Sequence, residues 1–229
     1  LTAISVDFWT AQLDTENSQY EQYWRVLDNN EKMRAEKFSN ALAHQRYVAA
    51  HGQLRLILAH YIAQPAAHIQ IQKTSLGKPY LIQYPETVFN LSHTDNYLAV
   101  AVANACQLGV DIELCKQRSS MTALVKKCFS SEEADYWRQL PEQQQVRAFY
   151  QFWTRKEAFV KATGLGIALG LKECAINPAH PQQFLAVPAR CGLASDWHSR
   201  DIELGQNLCA ALVADKAIAA VNIRQLADH

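Results

Sequence analysis

Residues 4–13 alternate in part between apolar and polar side chains, and that period of two predicts an opening strand. Asp28 precedes Glu31 by three positions, the spacing of a reciprocal helix cap, and residues 31–38 have a helical composition. A stronger helix is predicted over residues 44–62. Val48, Leu54, Leu58 and Tyr61 recur there at helical spacing, Arg46 and Arg55 lie off that stripe, and Pro65 stands as a stop. Residues 69–71 read as a short strand and Gly77-Lys78-Pro79 as a turn. Residues 97–103 are an apolar run of buried-strand length, and residues 108–114 follow so closely that the two are expected to form a hairpin. Ser130 caps a helix through Glu133. A long helix is predicted over residues 144–163, closed by Gly164, with four strands after it at 174–177, 184–187, 208–214 and 217–223.

Strand, helices, strands is thus written twice. That order predicts an α+β fold of two similar lobes in a pseudo-twofold arrangement, residues 1–105 and 106–229, with a seam near 104–108. The 229 residues suffice for a real core, and 49% hydrophobic with 19% charged residues is ordinary globular composition. Lys plus Arg and Asp plus Glu number 22 each, a balance that argues against a general nucleic-acid binder. The six cysteines form no C-x-x-C pair and mostly sit among apolar residues, which reads as reduced thiols of a cytoplasmic protein. No basic stretch followed by an apolar run opens the chain, so no signal peptide is expected; the start at Leu1 implies a few trimmed residues. No apolar stretch approaches the ~20 residues of a membrane span.

Three stretches carry the candidate chemistry: Phe89-Asn90-Leu91-Ser92-His93, Gly109-Val110-Asp111-Ile112-Glu113, and Trp153 through Gly164. On a strand, Asp111 and Glu113 share one face, opposite Val110, Ile112 and Leu114. Two adjacent carboxylates are compensated either by solvent on a half-exposed strand or by a divalent cation in a cleft. On the long helix, Phe149, Trp153, Glu157 and Lys161 climb one side at intervals of four. Glu157 and Lys161 form either an ordinary i, i+4 ion pair or a third metal ligand with a lysine beside it. Oxygen-only donors favour magnesium or manganese. Ser92-His93 is either structural or a phosphate donor. The zinc, serine-hydrolase and Walker-type patterns are missing.

At these residues the chain resembles the 4′-phosphopantetheinyl transferases, in the longer two-lobed branch typified by the surfactin-synthetase activator. Gly77-Lys78-Pro79 and the three stretches carry the resemblance, whose spacing extends it over residues 30–170. It implies a monomeric enzyme with its active site in a cleft between lobes. Such an enzyme moves the phosphopantetheine arm of coenzyme A onto a serine of an apo acyl or peptidyl carrier protein and releases 3′,5′-ADP. It further implies that Asp111, Glu113 and Glu157 bind magnesium, with manganese as an alternative, and that Glu157 and Lys161 are catalytic. Lys78, Pro79, Ser92 and His93 would contact the nucleotide and pyrophosphate, Arg46 and less securely Arg34 the adenosine 3′-phosphate. His51 and the loosely matching residues 31–37 depart from the family pattern.

Two other readings use the same residues: a magnesium-dependent hydrolase of nucleotide pyrophosphates, and a non-catalytic protein that binds coenzyme A or a carrier. The segment from Cys115 to Lys127 adds Lys116, Arg118, Lys126 and Lys127 around Met121 and Leu124. A basic rim with an apolar centre suits an acidic carrier, with Lys116, Arg118, Met121 and Leu124 as its expected contacts. The alternative is a solvated basic helix face.

Overall fold

The structure is a computed structural model that describes residues 3–166, 170–205 and 207–226. Its frame is two antiparallel-rich sheets packed face to face, each covered on its outer side by helices. Strand β1 (Ile4–Gln12) leads to helices α1 (Asn17–Val26), α2 (Asn29–Ala35) and α3 (Ala41–Ile62). Asp28 and Glu31 form the expected reciprocal cap on α2. Asn40 caps α3 at 2.9 Å through Ala43 N, and α3 ends at left-handed Ala63, two residues before the expected proline stop. A small hairpin follows, β2 (Ile71–Lys73) and β3 (Pro79–Leu81), joined through the turn at Gly77. Then come β4 (Thr87–Thr94), β5 (Tyr97–Asn104) and β6 (Leu108–Leu114). Helices α4 (Met121–Cys128), α5 (Ser131–Gln139) and α6 (Glu142–Thr163) precede β7 (Ala175–Ile176), β8 (Phe184–Ala186), β9 (His198–Ile202), β10 (Leu208–Ala214) and β11 (Ile218–Gln225).

The first sheet has the order β11-β1-β5-β4 and the second β6-β10-β9. Side-chain alternation divides each strand between two cores. Leu98, Val100 and Val102 of β5 meet Leu54, Ile57 and Leu58 of α3. The intervening Ala99, Ala101 and Ala103 join Val6 and Phe8 in facing Val110, Ile112, Ala210 and Leu212 of the second sheet. On the far side of that sheet, Cys209, Ala211 and Val213 lie under Phe149, Phe152 and Phe159 of α6. Strands β5 and β10 are buried on both faces, which is why they read as continuous apolar runs rather than alternating ones.

Three expectations are corrected. Strands β5 and β6 do not form a hairpin: β5 pairs with β1 and β4, whereas β6 pairs with β10. The short connection between them, with Ala105 at φ 52°, carries the chain from one sheet to the facing one. An apolar run buried on both faces carries no mark of which sheet it joins. The strand expected at 69–71 lies at Ile71–Lys73. Residues 87–94 are themselves a strand, where only the strand after them was expected. Strand β11 closes the molecule by pairing in parallel with β1, Val6 opposite Val221 and Phe8 opposite Ile223, so the end of the second segment completes the sheet of the first.

Candidate active site

The edge strand β4 of one sheet lies alongside the edge strand β6 of the other, and polar side chains stitch the two together. Asn90, Ser92 and Thr94 project from one face of β4 at the strand period. Asn90 Oδ1 accepts the Val110 amide at 2.9 Å. Ser92 Oγ donates to Asp111 Oδ1 at 2.7 Å. Thr94 Oγ1 donates to Glu113 Oε2 at 3.3 Å and accepts from Leu114 N at 3.4 Å. The Asn-x-Ser-x-Thr spacing is therefore a joint between sheets as well as part of a site.

Helix α6 covers this joint. A Cβ at Gly109 would lie 1.9 Å from Ala158 O and 2.5 Å from Ala162 N, so the bare backbone is what lets α6 rest on β6. That close approach delivers Lys161, whose Nζ donates to both Asp111 Oδ1 and Ser92 Oγ at 2.7 Å. Asp111 is 4% exposed, and its second oxygen, Oδ2, is buried without a hydrogen-bond partner. Burial raises the Glu113 carboxyl above the ordinary range, and Asp111 adds to the rise. Burial likewise raises Glu157, with Asp111 and Glu113 adding and Lys161 opposing. The three carboxylates thus act on one another electrostatically.

Beside Lys161 opens a cavity of about 600 Å³, lined among others by Arg46, Tyr47, His51, Ser92 and His93. Arg46 bridges Asp14 at 2.8 Å and Asp95 at 3.0 Å on its rim. His51 lies against Tyr47 with ring centroids 4.1 Å apart and the planes tilted by 32°, and it meets Glu31 at 3.2 Å. His93 keeps an exposed edge, yet the protein around it and then Lys161, His51 and Arg46 lower its pKa, favouring the neutral ring. Tyr47 was not singled out from the sequence, because an aromatic within a helical pattern looks like core, and His51 was noted only as a departure from the family pattern.

Other expected residues lie outside this cavity. Lys78 Nζ donates to the carbonyls of Leu108 at 3.2 Å and Ala162 at 2.5 Å, and burial lowers its pKa to about 8. Pro79 opens β3, and Arg34 is exposed on α2. Lys116 and Arg118 are exposed, reaching Asp95 at 3.7 Å and Glu113 at 3.9 Å. Leu124 is half-buried, and Met121 is only 3% exposed. Met121 is therefore core beneath α6 and not the partner contact expected of it; the apolar side of a short amphipathic helix faces its own domain here.

The profile described as "4'-phosphopantetheinyl transferase superfamily" matches residues 107–219, and "4'-phosphopantetheinyl transferase, N-terminal" matches residues 11–105. The 4'-phosphopantetheinyl transferase HetI of Nostoc sp. is 35% identical over 220 residues, 93% of this chain and 90% of its own length. The chain belongs to the 4′-phosphopantetheinyl transferase family. The 4'-phosphopantetheinyl transferase psf-1 of Bacillus pumilus is 32% identical over 161 residues, 69% of this chain and 68% of its own. A mouse L-aminoadipate-semialdehyde dehydrogenase-phosphopantetheinyl transferase is 31% identical over 65% of this chain and 52% of its own length.

Transferases of this family are expected to use a divalent metal, and the donors here fit one by chemistry. Asp111 Oδ2 is a buried oxygen with nothing to bind, and two further carboxylates are raised by burial and mutual repulsion, which a hard cation would relieve. Among the described residues, however, no three His, Cys, Asp or Glu side chains are gathered as a ready metal cluster. Lys161 supplies positive charge at Asp111 instead.

Proposed function

We propose that this phosphopantetheinyl transferase works at the joint of β4, β6 and α6, moving the 4′-phosphopantetheine arm of coenzyme A to a serine hydroxyl of an apo acyl or peptidyl carrier protein and releasing 3′,5′-ADP. The observation that carries the reading is the Lys161–Ser92–Asp111 hydrogen-bonded set opening onto a cavity lined by Arg46 and His93. Asp111, Glu113 and Glu157 would hold magnesium, or manganese, which when bound offsets charge on the pyrophosphate oxygens.

The chain's own residues supply the rest. Arg46, His93 and Lys161 line a cavity wide enough for a nucleotide, with Tyr47 and His51 as flat surfaces for a base. Arg46 is the candidate for the 3′-phosphate, an anion that would compete with Asp14 and Asp95. Arg34 on α2 is the secondary candidate. Lys78 in the β2–β3 turn and Pro79 at the start of β3 are candidate pyrophosphate contacts, and Lys78 would have to release two carbonyls to reach a phosphate. Glu157 is the candidate to take the carrier serine's proton, directly or through water. Lys161 then stabilises charge on the reacting oxygens.

Residues 1–105 would supply the coenzyme contacts, and residues 106–229 the carboxylates and the carrier contacts. The exposed Lys116 and Arg118 border the site, as an acidic carrier would require, with half-buried Leu124 nearby. We place the enzyme in the cytoplasm as a monomer; its six free thiols suit a reducing compartment. Among the described residues, no helix is long and apolar enough to cross a membrane. Incubation of the protein with coenzyme A and magnesium, with and without an apo carrier, tests the function. A carrier heavier by one phosphopantetheine, with coenzyme A intact when no carrier is present, is the expected result. Cleavage of coenzyme A without a carrier would instead mean a hydrolase.

A further inference from the structure

Cys115 and Cys209 play no part in the chemistry above. Cys115 directly follows β6, and Cys209 lies in β10, the strand that β6 pairs with. Their Sγ atoms are 3.1 Å apart. A hydrogen bond of 2.8 Å from Cys115 N to Asn207 O holds the two backbones together at this point. A disulfide bond is ~2.05 Å long, so closure asks for about 1 Å of sulfur travel between strands already paired. Cys209 is buried, whereas Cys115 is half-buried, so Cys115 is the member of the pair nearer to solvent. That is the arrangement of a sensing thiol with a resolving partner.

Cys115 is also placed to transmit the change. It continues the alternation that puts Gly109, Asp111 and Glu113 on the α6 side of β6, and Lys116 and Arg118 follow it directly. We infer that Cys115 and Cys209 form a reversible disulfide under hydrogen peroxide, and that its closure slows transfer by displacing the end of β6. The effect on transfer rests on the active site proposed above; the bond itself does not.

The chemistry balances with one peroxide. The Cys115 sulfur attacks a peroxide oxygen and the O–O bond breaks, giving a sulfenic acid and one water. The Cys209 sulfur then attacks the Cys115 sulfur, the S–O bond breaks, and the hydroxyl leaves with the Cys209 proton as a second water. Two thiols are oxidised to one disulfide and one peroxide is reduced to two waters. A dithiol reverses the step by exchange.

The test treats wild type, Cys115→Ser and Cys209→Ala with peroxide, then maps peptides by mass spectrometry without reduction. The mapping is done with neither coenzyme nor carrier present, so it does not depend on the transferase site. Wild type should yield a peptide linked through Cys115 and Cys209. Its transfer rate should fall roughly tenfold, as a 1 Å shift near reacting groups can cause, and a dithiol should restore it. Cys115→Ser, at the half-buried position, should fold, form no link and keep its rate under the same peroxide. Cys209→Ala should likewise form no link. The inference is overturned if no link forms at peroxide levels that oxidise other thiols. It is overturned equally if the linked protein transfers as fast as the protein with both thiols free, or if Cys115→Ser is inhibited as much as wild type. Transfer by the reduced protein, measured first, tests the site separately.

Discussion

Asp111 is the residue on which most of the site converges: it takes Ser92 from one sheet and Lys161 from α6 on a single oxygen and leaves the other unpaired. Asp111→Asn keeps the shape but removes the negative charge that a cation or the Lys161 ammonium meets there. It is expected to lower kcat by ~100-fold or more with a near-native melting temperature, the scale of losing one electrostatic contact to a reacting group. Near-normal turnover in a folded Asp111→Asn protein would remove it from the site. The raised carboxyls give a pH prediction. Glu113 and Glu157 bind protons more tightly folded than unfolded, so the stability this contributes is present below the ordinary 4.5 and lost as pH rises through their raised values. A bound cation favours the ionised forms. Magnesium should therefore raise the melting temperature more at about pH 8 than at about pH 5; equal shifts would contradict a carboxylate site. The shared face of Asp111 and Glu113 was legible from strand periodicity. Their partners were not, because Ser92 and Lys161 lie 19 and 50 residues away along the chain.

Helix α6 is the element that turns a sheet edge into a site. Two local features set it in place: the bare backbone of Gly109, and a buried ion pair between Lys156 and Glu133 at 2.8 Å. Lys156 Nζ also donates to the carbonyls of Leu171 and Cys174, and Glu133 accepts from Ile176 N at 2.7 Å. Lys156 sits between the expected site residues in sequence, yet it points into the core. Lys156→Ala should cost about 3–5 kcal/mol, the cost of leaving one member of a buried pair unmatched. Gly109→Ala should cost about 1–3 kcal/mol through overpacking against α6. Chemical denaturation measures both; unchanged midpoints would mean that α6 is held by other contacts. The two longest helices and the strands β1, β5, β6, β10 and β11 were legible from periodicity and apolar runs. Helix α1 was not, since its cap is a Glu16–Gln19 pair in a polar stretch, nor was the short strand β9 at His198–Ile202.

The whole molecule is two lobes fused through one shared core, in which Val6, Phe8 and the small side chains Ala99 and Ala101 meet Val110, Ile112 and Leu212. Because β11 returns to pair with β1, the first sheet is not completed by its own half of the sequence, whereas β6, β9 and β10 of the second all come from the second half. A single cooperative unfolding transition is therefore expected by calorimetry and by two optical probes; separate transitions would mean the lobes are independent. The pairing of β11 with β1, across more than 200 residues, left no local signature to read in the sequence. The basic rim acts at this scale too. Lys116→Glu should raise KM for the carrier several-fold, with KM for coenzyme A nearly unchanged, and added salt should weaken the wild type in the same direction. Equal effects on both KM values would place docking elsewhere. The central claim is that the joint of β4, β6 and α6 transfers phosphopantetheine from coenzyme A to a carrier serine. Intact-mass analysis of an apo carrier, incubated with coenzyme A, magnesium and either wild type or Asp111→Asn, tests it most directly. Wild type should add one phosphopantetheine to the carrier while the folded variant leaves it unmodified; an unmodified carrier with active wild-type fold, or equal modification by both proteins, would contradict the account.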